Sequence, residues 1–277
     1  MLNQLIKKPI LSCSIIFVIC SVARLIEYFY IRTDETFLSE NFLHKLLLWG
    51  ILSICKLRWK DIGFSSDGTV SGIGKGLLFG LVCSVFAYTV ECIVLLFLHG
   101  NVHLSFYASG FSLTNEKVSQ AGILLILSSV LFNLINVWME EGIFRGLFTK
   151  ILEGLSYRKS LFFIAFQFGI WHLVMPLRDY LQGESSLVNL IVMGIGYVIL
   201  AGMMSIKWSL LYKMTGSLWF GLGDHFFNNL ASNLVHVVSN SEADSLQIVR
   251  ILLWQLLSFV IVLSIYTSKS KTLDNEL

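Results

Sequence analysis

The sequence predicts an all-α, polytopic membrane protein with about eight transmembrane helices. Of its 277 residues, 55% are hydrophobic and 14% are charged, and the mean hydropathy is +0.74. Soluble globular domains have roughly 45–50% apolar and about 25% charged residues, so this composition excludes that class. Nearly every stretch long enough to form a helix is itself apolar. We therefore predict a single membrane-embedded domain over residues 1–277, with no extramembrane domain.

The composition also excludes other classes of protein. The net charge of +2 provides no clustered basic face for a nucleic acid, and so apolar a chain is not intrinsically disordered. An apolar run that follows Lys7 and Lys8 continues to Tyr30 without a small-residue cleavage site, which predicts a retained first helix. The five cysteines form no CxxC pair, which argues against disulfides and a thiolate metal site. They are Cys13, Cys20, Cys55, Cys83 and Cys92.

The predicted spans follow from the apolar runs, because a bilayer crossing needs about 20 mostly apolar residues. These runs lie near residues 9–31, 42–56, 72–98, 119–149, 160–175, 187–211, 217–238 and 248–267. Between the second and third runs, residues 57–70 mix aromatic and charged side chains, and we expect a cytoplasmic interfacial segment without chemistry of its own.

The distribution of Lys and Arg predicts the orientation, because cytoplasmic loops carry the excess of positive charge. With both termini in the cytoplasm, the inner side collects Lys7, Lys8, Lys56, Arg58, Lys60, Lys75, Lys150, Arg158, Lys159, Lys207, Lys213, Lys269 and Lys271. The outer side receives Arg32, Lys45, Lys117, Arg178 and Arg250. We therefore expect a multi-pass protein of the cell membrane with both termini cytoplasmic.

Ionisable side chains at membrane depth are costly, so they indicate candidate functional residues. The densest group lies on the fourth predicted helix. Glu141 and Arg145 are four residues apart with the acid first, the favourable order for a helical ion pair. Glu140 is rotated by about 100° around the helix and is expected to lack that partner. A carboxylate in apolar surroundings is then a candidate general base.

Three more polar residues fall on other predicted helices. His172 lies on the fifth helix, and His225 lies on the seventh, where Asn229 follows one turn later on the same face. Counted from the cytoplasmic end of each helix, Glu140, His172 and His225 lie roughly 15, 20 and 14 Å deep. These similar depths predict one polar intramembrane cavity, open to the cytosol. Arg24 with Glu27, and separately Glu91, are expected to form interfacial or interhelical pairs without a catalytic role.

The three motifs together resemble the CPBP family of intramembrane proteases, which includes CAAX prenyl endopeptidases and bacterial Abi-type proteins. The motifs are Glu-Glu-x-x-x-Arg (Glu140, Glu141, Arg145), Phe-x-x-x-His (Phe168, His172) and His-x-x-x-Asn (His225, Asn229). Each motif alone is weak, but three in this order on separate predicted helices are specific. The resemblance covers a core of about residues 119–238.

The resemblance implies hydrolysis of a peptide bond in a polar cavity of the membrane. Glu140 and His172 would activate a water molecule, and His225 and Asn229 would stabilise the oxyanion. Glu141 and Arg145 would support the fourth helix. The implied partners are a peptide substrate, prenylated or not, and membrane lipid, with no nucleic acid and no cofactor.

Several alternatives remain open at this point. Glu140, His172 and His225 also form a carboxylate and two-histidine set that would suit zinc, although the HExxH motif is absent. The run from Gly221 to Asp224 resembles the GxGD signature of aspartyl intramembrane proteases, but a second membrane-embedded aspartate is missing from the predicted spans. A catalytically inactive scaffold or a bacteriocin-immunity or signalling protein of the same fold is the non-enzymatic alternative. A transporter is less consistent with the sequence, because paired interrupted repeats are not evident.

Overall fold

The computed structural model describes residues 2–31, 42–108 and 123–275, and within these ranges the chain is predominantly α-helical. Its helices are α1 (Leu2–Lys7), α2 (Pro9–Ile26), α3 (Phe42–Cys55), α4 (Thr69–His99), α5 (Ile123–Glu140), α6 (Thr149–Ile151), α7 (Tyr157–Trp171), α8 (Val174–Leu181), α9 (Leu187–Thr215), α10 (Trp219–Leu234) and α11 (Gln247–Asn275). Two π-helical segments, Glu27–Ile31 and Glu141–Phe148, extend α2 and join α5 to α6. A 3₁₀ turn occupies Trp59–Ile62.

In the described ranges, five helical stretches are long and apolar enough to cross a membrane. They agree with the first, third, fifth, sixth and eighth predicted spans, and run over Pro9–Tyr30, Thr69–Leu98, Tyr157–Leu181, Leu187–Thr215 and Gln247–Lys269. The second predicted span appears as the short apolar helix α3. Residues 119–122 of the fourth span lie outside the described residues. The chain is therefore a multi-pass membrane protein, and a topology of eight spans stays a prediction.

The predicted end of the seventh helix, at residue 238, is wrong. Helix α10 stops at Leu234, and the β-branched run that follows forms strand β2 (Val235–Ser239). Strand β2 pairs antiparallel with β1 (His103–Phe106) on one side and with β3 (Glu242–Ala243) on the other. Val, which is enriched in strands, supplies three of the five residues of β2. A small sheet thus caps one end of a helical protein.

Residues 57–70, which are expected to form an interfacial segment, also pack against the helices. Ile62 is fully buried, and Phe64 packs against the indole of Trp219 with ring centroids 5.0 Å apart. A Cβ at position 146 would come within 2.7 Å of the Ile62 carbonyl oxygen, so this close contact requires a glycine. Phe64 also packs against Trp138 of α5, the helix that carries Glu140, with ring centroids 5.6 Å apart.

Helix α10 is fixed by close packing on α4. A Cβ at Gly76 or at Gly223 would collide with the backbone of the opposite helix, so the two glycines allow the helices to approach closely. This contact sets the position of His225, two residues after Gly223 on α10.

Two of the charges used for the orientation lie inside the protein. Lys207, expected at a cytoplasmic helix end, and Arg250, expected in an outer loop, are each 1% exposed. Arg250 pairs with Glu91 at 2.6 Å and with Asp244 at 2.9 Å. This contact confirms the expected interhelical pair of Glu91. Arg32 and Lys117 lie outside the described residues, and the orientation stays a prediction.

Candidate active site

The candidate site begins where α5 changes into a π-helical segment. Glu140 is the last residue of α5, and Glu141 and Arg145 belong to the π-helical turns that follow. All three side chains are at least 98% buried. π-Helical turns that interrupt α-helices occur frequently at functional sites.

Glu141 and Arg145 form the predicted ion pair. The Nη2 atom of Arg145 lies 3.4 Å from Oε1 of Glu141, and the same oxygen accepts a hydrogen bond from Nδ1 of His225 at 2.9 Å. The guanidinium also lies 4.0 Å from the ring centroid of Phe168 and 4.8 Å from that of Trp208. Glu141 therefore connects the fourth predicted span to His225 on α10.

Glu140, which is expected to lack Arg145 as its partner, lies beside a different charged residue. Its Oε1 accepts a hydrogen bond from the indole Nε1 of Trp171 at 2.9 Å and lies 3.6 Å from Nη1 of Arg24. Its Oε2 lies 3.6 Å from Nε2 of His225. Thus the two carboxylate oxygens have different neighbours: Oε1 accepts from an indole and lies beside a guanidinium, whereas Oε2 is directed toward an imidazole.

Arg24 also belongs to the candidate site, although the sequence did not show that it lies beside Glu140. It was expected in an interfacial or interhelical pair with Glu27. Helix α2 places its guanidinium beside Glu140 of α5, which is an interhelical pair, and 4.4 Å from the ring centroid of Trp171. The available signal was an arginine in the interior of an apolar helix. Spacing along one helix does not reveal which helix an arginine faces, so its partner was missed.

His172 directly follows the end of α7 and is half-buried. Its Nδ1 donates a hydrogen bond to the carbonyl oxygen of Phe168 at 2.8 Å. A carbonyl only accepts, so Nδ1 carries the hydrogen and Nε2 of the neutral ring keeps its lone pair. The Phe168 ring lies 4.7 Å from the His172 ring and 6.2 Å from the His225 ring. That Glu140 and His172 share one water molecule stays a prediction.

His225 is buried and fixed on two sides. Its ring stacks on Trp208 with centroids 3.8 Å apart and an interplanar angle of 16°. Nδ1 donates to the Glu141 carboxylate, so in the neutral ring Nε2 is an acceptor. Only the doubly protonated ring offers Nε2–H as a donor. Asn229 follows one turn later, is half-buried, and accepts a hydrogen bond at Oδ1 from Nδ2 of Asn228 at 3.2 Å.

The zinc alternative requires three protein ligands placed around one point. Within the described ranges, no group of three or more His, Cys, Asp or Glu side chains is placed to hold a metal ion. Zinc binding by Glu140, His172 and His225 stays a hypothesis. The five cysteines, which all lie in the described ranges, are not joined to one another by disulfides.

Asp224, which ends the GxGD-like run, has two buried partners. Its Oδ2 lies 2.7 Å from Nζ of Lys207 and accepts a hydrogen bond from Nε1 of Trp208 at 2.8 Å. Aspartyl proteases need two carboxylates that share a proton, whereas Asp224 is paired with an ammonium group.

The comparison with protein-family models confirms the predicted resemblance. Residues 122–231 match the model of the Rce1-like family, type II CAAX prenyl endopeptidase Rce1-like. The matched segment contains the six site residues that the sequence predicted, from Glu140 to Asn229, and Arg24 lies outside it. No curated protein and no solved structure gives a significant match to the chain.

Proposed function

We propose that this protein is an intramembrane endopeptidase of the CAAX prenyl protease type, which hydrolyses a peptide bond with a water molecule activated by Glu140 and His172. The family match supports this activity class. The observation that carries the proposal is the asymmetric environment of the Glu140 carboxylate. Oε1 accepts a hydrogen bond from Trp171 and pairs with Arg24 at 3.6 Å, and Oε2 faces the imidazole of His225 at 3.6 Å.

The proposed reaction begins with a water molecule bound to Glu140 and His172. The bare Nε2 of His172 accepts one water hydrogen bond, and Glu140 takes the proton as the water oxygen attacks the peptide carbonyl carbon. The tetrahedral intermediate then collapses. Its carbon–nitrogen bond breaks, and the proton held by Glu140 moves to the leaving amine. Arg24 and Trp171 keep the carboxylate oriented through this cycle.

The oxyanion of the intermediate is stabilised by His225 and Asn229. Donors aimed at developing charge lower the barrier most when they are already oriented before the reaction. His225 donates from Nε2 only in its doubly protonated form, because Nδ1 is already bound to Glu141. The carboxamide of Asn229 donates from Nδ2 without any change of protonation state.

The substrate is proposed to be a peptide, with a prenyl group recognised from the lipid side of the membrane. A cavity that opens to the cytosol, with both termini cytoplasmic, would admit the polar peptide, and the bilayer would receive the prenyl chain. The location in the cell membrane belongs to the same proposal.

The test is cleavage of a farnesylated CAAX-type peptide by the purified protein, compared with the same peptide lacking the farnesyl group. Faster cleavage of the farnesylated peptide supports the proposal. Glu140→Gln preserves side-chain size and the acceptor for Trp171 but removes basicity, so we expect kcat to fall by about 10²–10⁴. Thermal unfolding in detergent checks that the variant is folded, and Glu140→Asp provides a second variant that keeps the charge.

Glu153→Gln is the matched control, because Glu153 is an exposed glutamate that pairs with Lys150. It should retain wild-type cleavage. Wild-type activity in Glu140→Gln would mean that another group acts as the base. If the wild-type protein cleaves neither peptide, the scaffold alternative replaces the protease proposal.

A further inference from the structure

A continuous chain of hydrogen bonds runs from Lys207 on α9 to Asn229 on α10 by way of the last helix, α11. Lys207 Nζ donates to Oε1 of Gln255 at 3.0 Å. Gln255 Nε2 donates to Oδ1 of Asn228 at 2.6 Å, and Asn228 Nδ2 donates to Oδ1 of Asn229 at 3.2 Å. Helix α11 carries none of the motifs, yet it supplies the middle link.

The ammonium group at the start of this chain has all its hydrogens engaged. An ammonium has three donors and no acceptor. Lys207 Nζ lies 2.7 Å from Oδ2 of Asp224 and 3.0 Å from both Oε1 of Gln255 and Oγ of Ser258. Lys207, Asp224 and Gln255 are each at least 99% buried, so water does not compete for these contacts.

The ammonium determines the direction of every bond that follows. Because Lys207 only donates, the oxygen of Gln255 must face it, and the NH₂ group of Gln255 must face Asn228. The oxygen of Asn228 then accepts from Gln255, and its NH₂ group donates to Asn229. The Asn229 oxygen is thereby occupied, and its Nδ2 remains available as a donor. The three amide orientations thus follow from hydrogen-bond chemistry.

We propose that Lys207, Gln255 and Asn228 are positioning residues that keep the NH₂ group of Asn229, rather than its oxygen, directed at the reacting carbonyl. This inference rests on the proposed function. An asparagine turned by 180° would present its oxygen to the oxyanion and repel it. A chain that starts at a buried ammonium prevents this turn, because reversing one amide would place two oxygens or two NH₂ groups face to face along the chain.

The test inverts the chain without removing it. Gln255→Glu replaces the NH₂ group that donates to Asn228 with a second acceptor. Asn228 must then turn its NH₂ group toward the new carboxylate, and Asn229 must turn its NH₂ group toward Asn228. The oxygen of Asn229 then faces the site. We expect kcat to fall by about 10²–10³, as for loss of an oxyanion donor, with little change in KM.

Comparison of kcat in two variants of Gln255 distinguishes a positioning role from a purely structural one. Gln255→Met breaks the chain but forces no inversion, so it should lower kcat less than Gln255→Glu does. A purely structural role for Gln255 predicts the opposite order, because the new carboxylate keeps the side-chain size and accepts from Lys207, whereas methionine does not. Gln182→Glu, an exposed glutamine on the chain segment after α8, is the control and should keep wild-type kcat.

A kinetic cycle shows whether the effect passes through Asn229. Asn229→Ala alone should lower kcat by about 10²–10³. Adding Gln255→Glu to Asn229→Ala should cause no further loss, because the residue through which it acts is gone. Should Gln255→Glu fail to fold, Asn228→Asp provides the same inversion with one turned amide instead of two.

Three outcomes would overturn the proposal. These are wild-type kcat in Gln255→Glu or Asn228→Asp, a larger loss for Gln255→Met than for Gln255→Glu, and additive losses with Asn229→Ala. Failure of the proposed function looks different, because the wild-type protein itself would then leave the peptides uncleaved, and the positioning role would fail with it.

Discussion

The imidazole of His225 lies almost parallel to the indole of Trp208, with ring centroids 3.8 Å apart. The indole is itself fixed, because its Nε1 donates to Asp224, which pairs with Lys207. The buried pair of Lys207 and Asp224 thus supports His225 through Trp208, and it supports Asn229 through the amide chain. Both proposed oxyanion donors depend on this one ion pair.

Replacement of Trp208 tests how the stacked ring orients His225. Trp208→Phe keeps an aromatic face for the imidazole, whereas Trp208→Leu removes it. Aromatic pairs contribute about 0.5–1.5 kcal/mol beyond their buried area, so we expect Trp208→Leu to lower both kcat and the unfolding temperature more than Trp208→Phe. Peptide cleavage and thermal unfolding measure the two effects. Equal kcat in the two variants would contradict an orienting role.

Replacement of Arg24 tests its pairing with Glu140. Arg24→Met leaves a buried carboxylate without this countercharge, and removing one partner of a buried ion pair typically costs about 3–5 kcal/mol. We expect the free energy of unfolding to fall by about 3–5 kcal/mol. Adding Glu140→Gln to Arg24→Met removes the uncompensated charge and should restore part of the stability. Additive losses in denaturant unfolding would show that the two residues are not coupled.

Replacement of Arg145 should affect folding before chemistry. Arg145→Ala leaves Glu141 buried with one charged partner fewer, so we expect a loss of about 3–5 kcal/mol in the unfolding free energy. Arg145→Lys keeps the charge but loses the planar group that lies over Phe168 and Trp208. Its expected loss is smaller, about 1–2 kcal/mol. Full stability of Arg145→Ala would contradict a supporting role.

Addition of a chelator tests metal dependence directly. The proposed mechanism uses only protein side chains and water, so incubation with a metal chelator should leave kcat and KM unchanged. A zinc enzyme would lose activity and regain it when zinc is added. That second result would reject the metal-free mechanism while keeping the peptidase activity.

Labelling of introduced cysteines tests the predicted orientation. Ser156 lies before α7 on the predicted cytoplasmic side, and Ser241 lies between β2 and β3 on the predicted outer side, and both are exposed. In intact cells, a membrane-impermeant thiol reagent should label Ser241→Cys and spare Ser156→Cys until the membrane is broken. The native cysteines are buried or half-buried, so background labelling should be low. Equal labelling of both variants would reject this topology.

The sequence alone determined the membrane class, the motifs and one ion pair. Composition and apolar runs are averages over many residues, so the membrane class can be predicted from them without knowledge of the tertiary contacts. The pair of Glu141 and Arg145 was predictable because both residues lie one turn apart on the same helix, where spacing fixes proximity. His172, His225 and Asn229 were identified by residue type at membrane depth and by their motifs.

Only the tertiary structure decided which helices face one another. Arg24 reaches Glu140 from α2, more than 100 residues away in sequence, and Gln255 reaches Asn228 from the last helix. Helical periodicity gives the face of a side chain but not the neighbour of that face. The packing of α4 on α10 through glycines and the π-helical turns after Glu140 set those neighbours. The partners of the candidate site therefore follow from packing between helices, which local spacing does not encode.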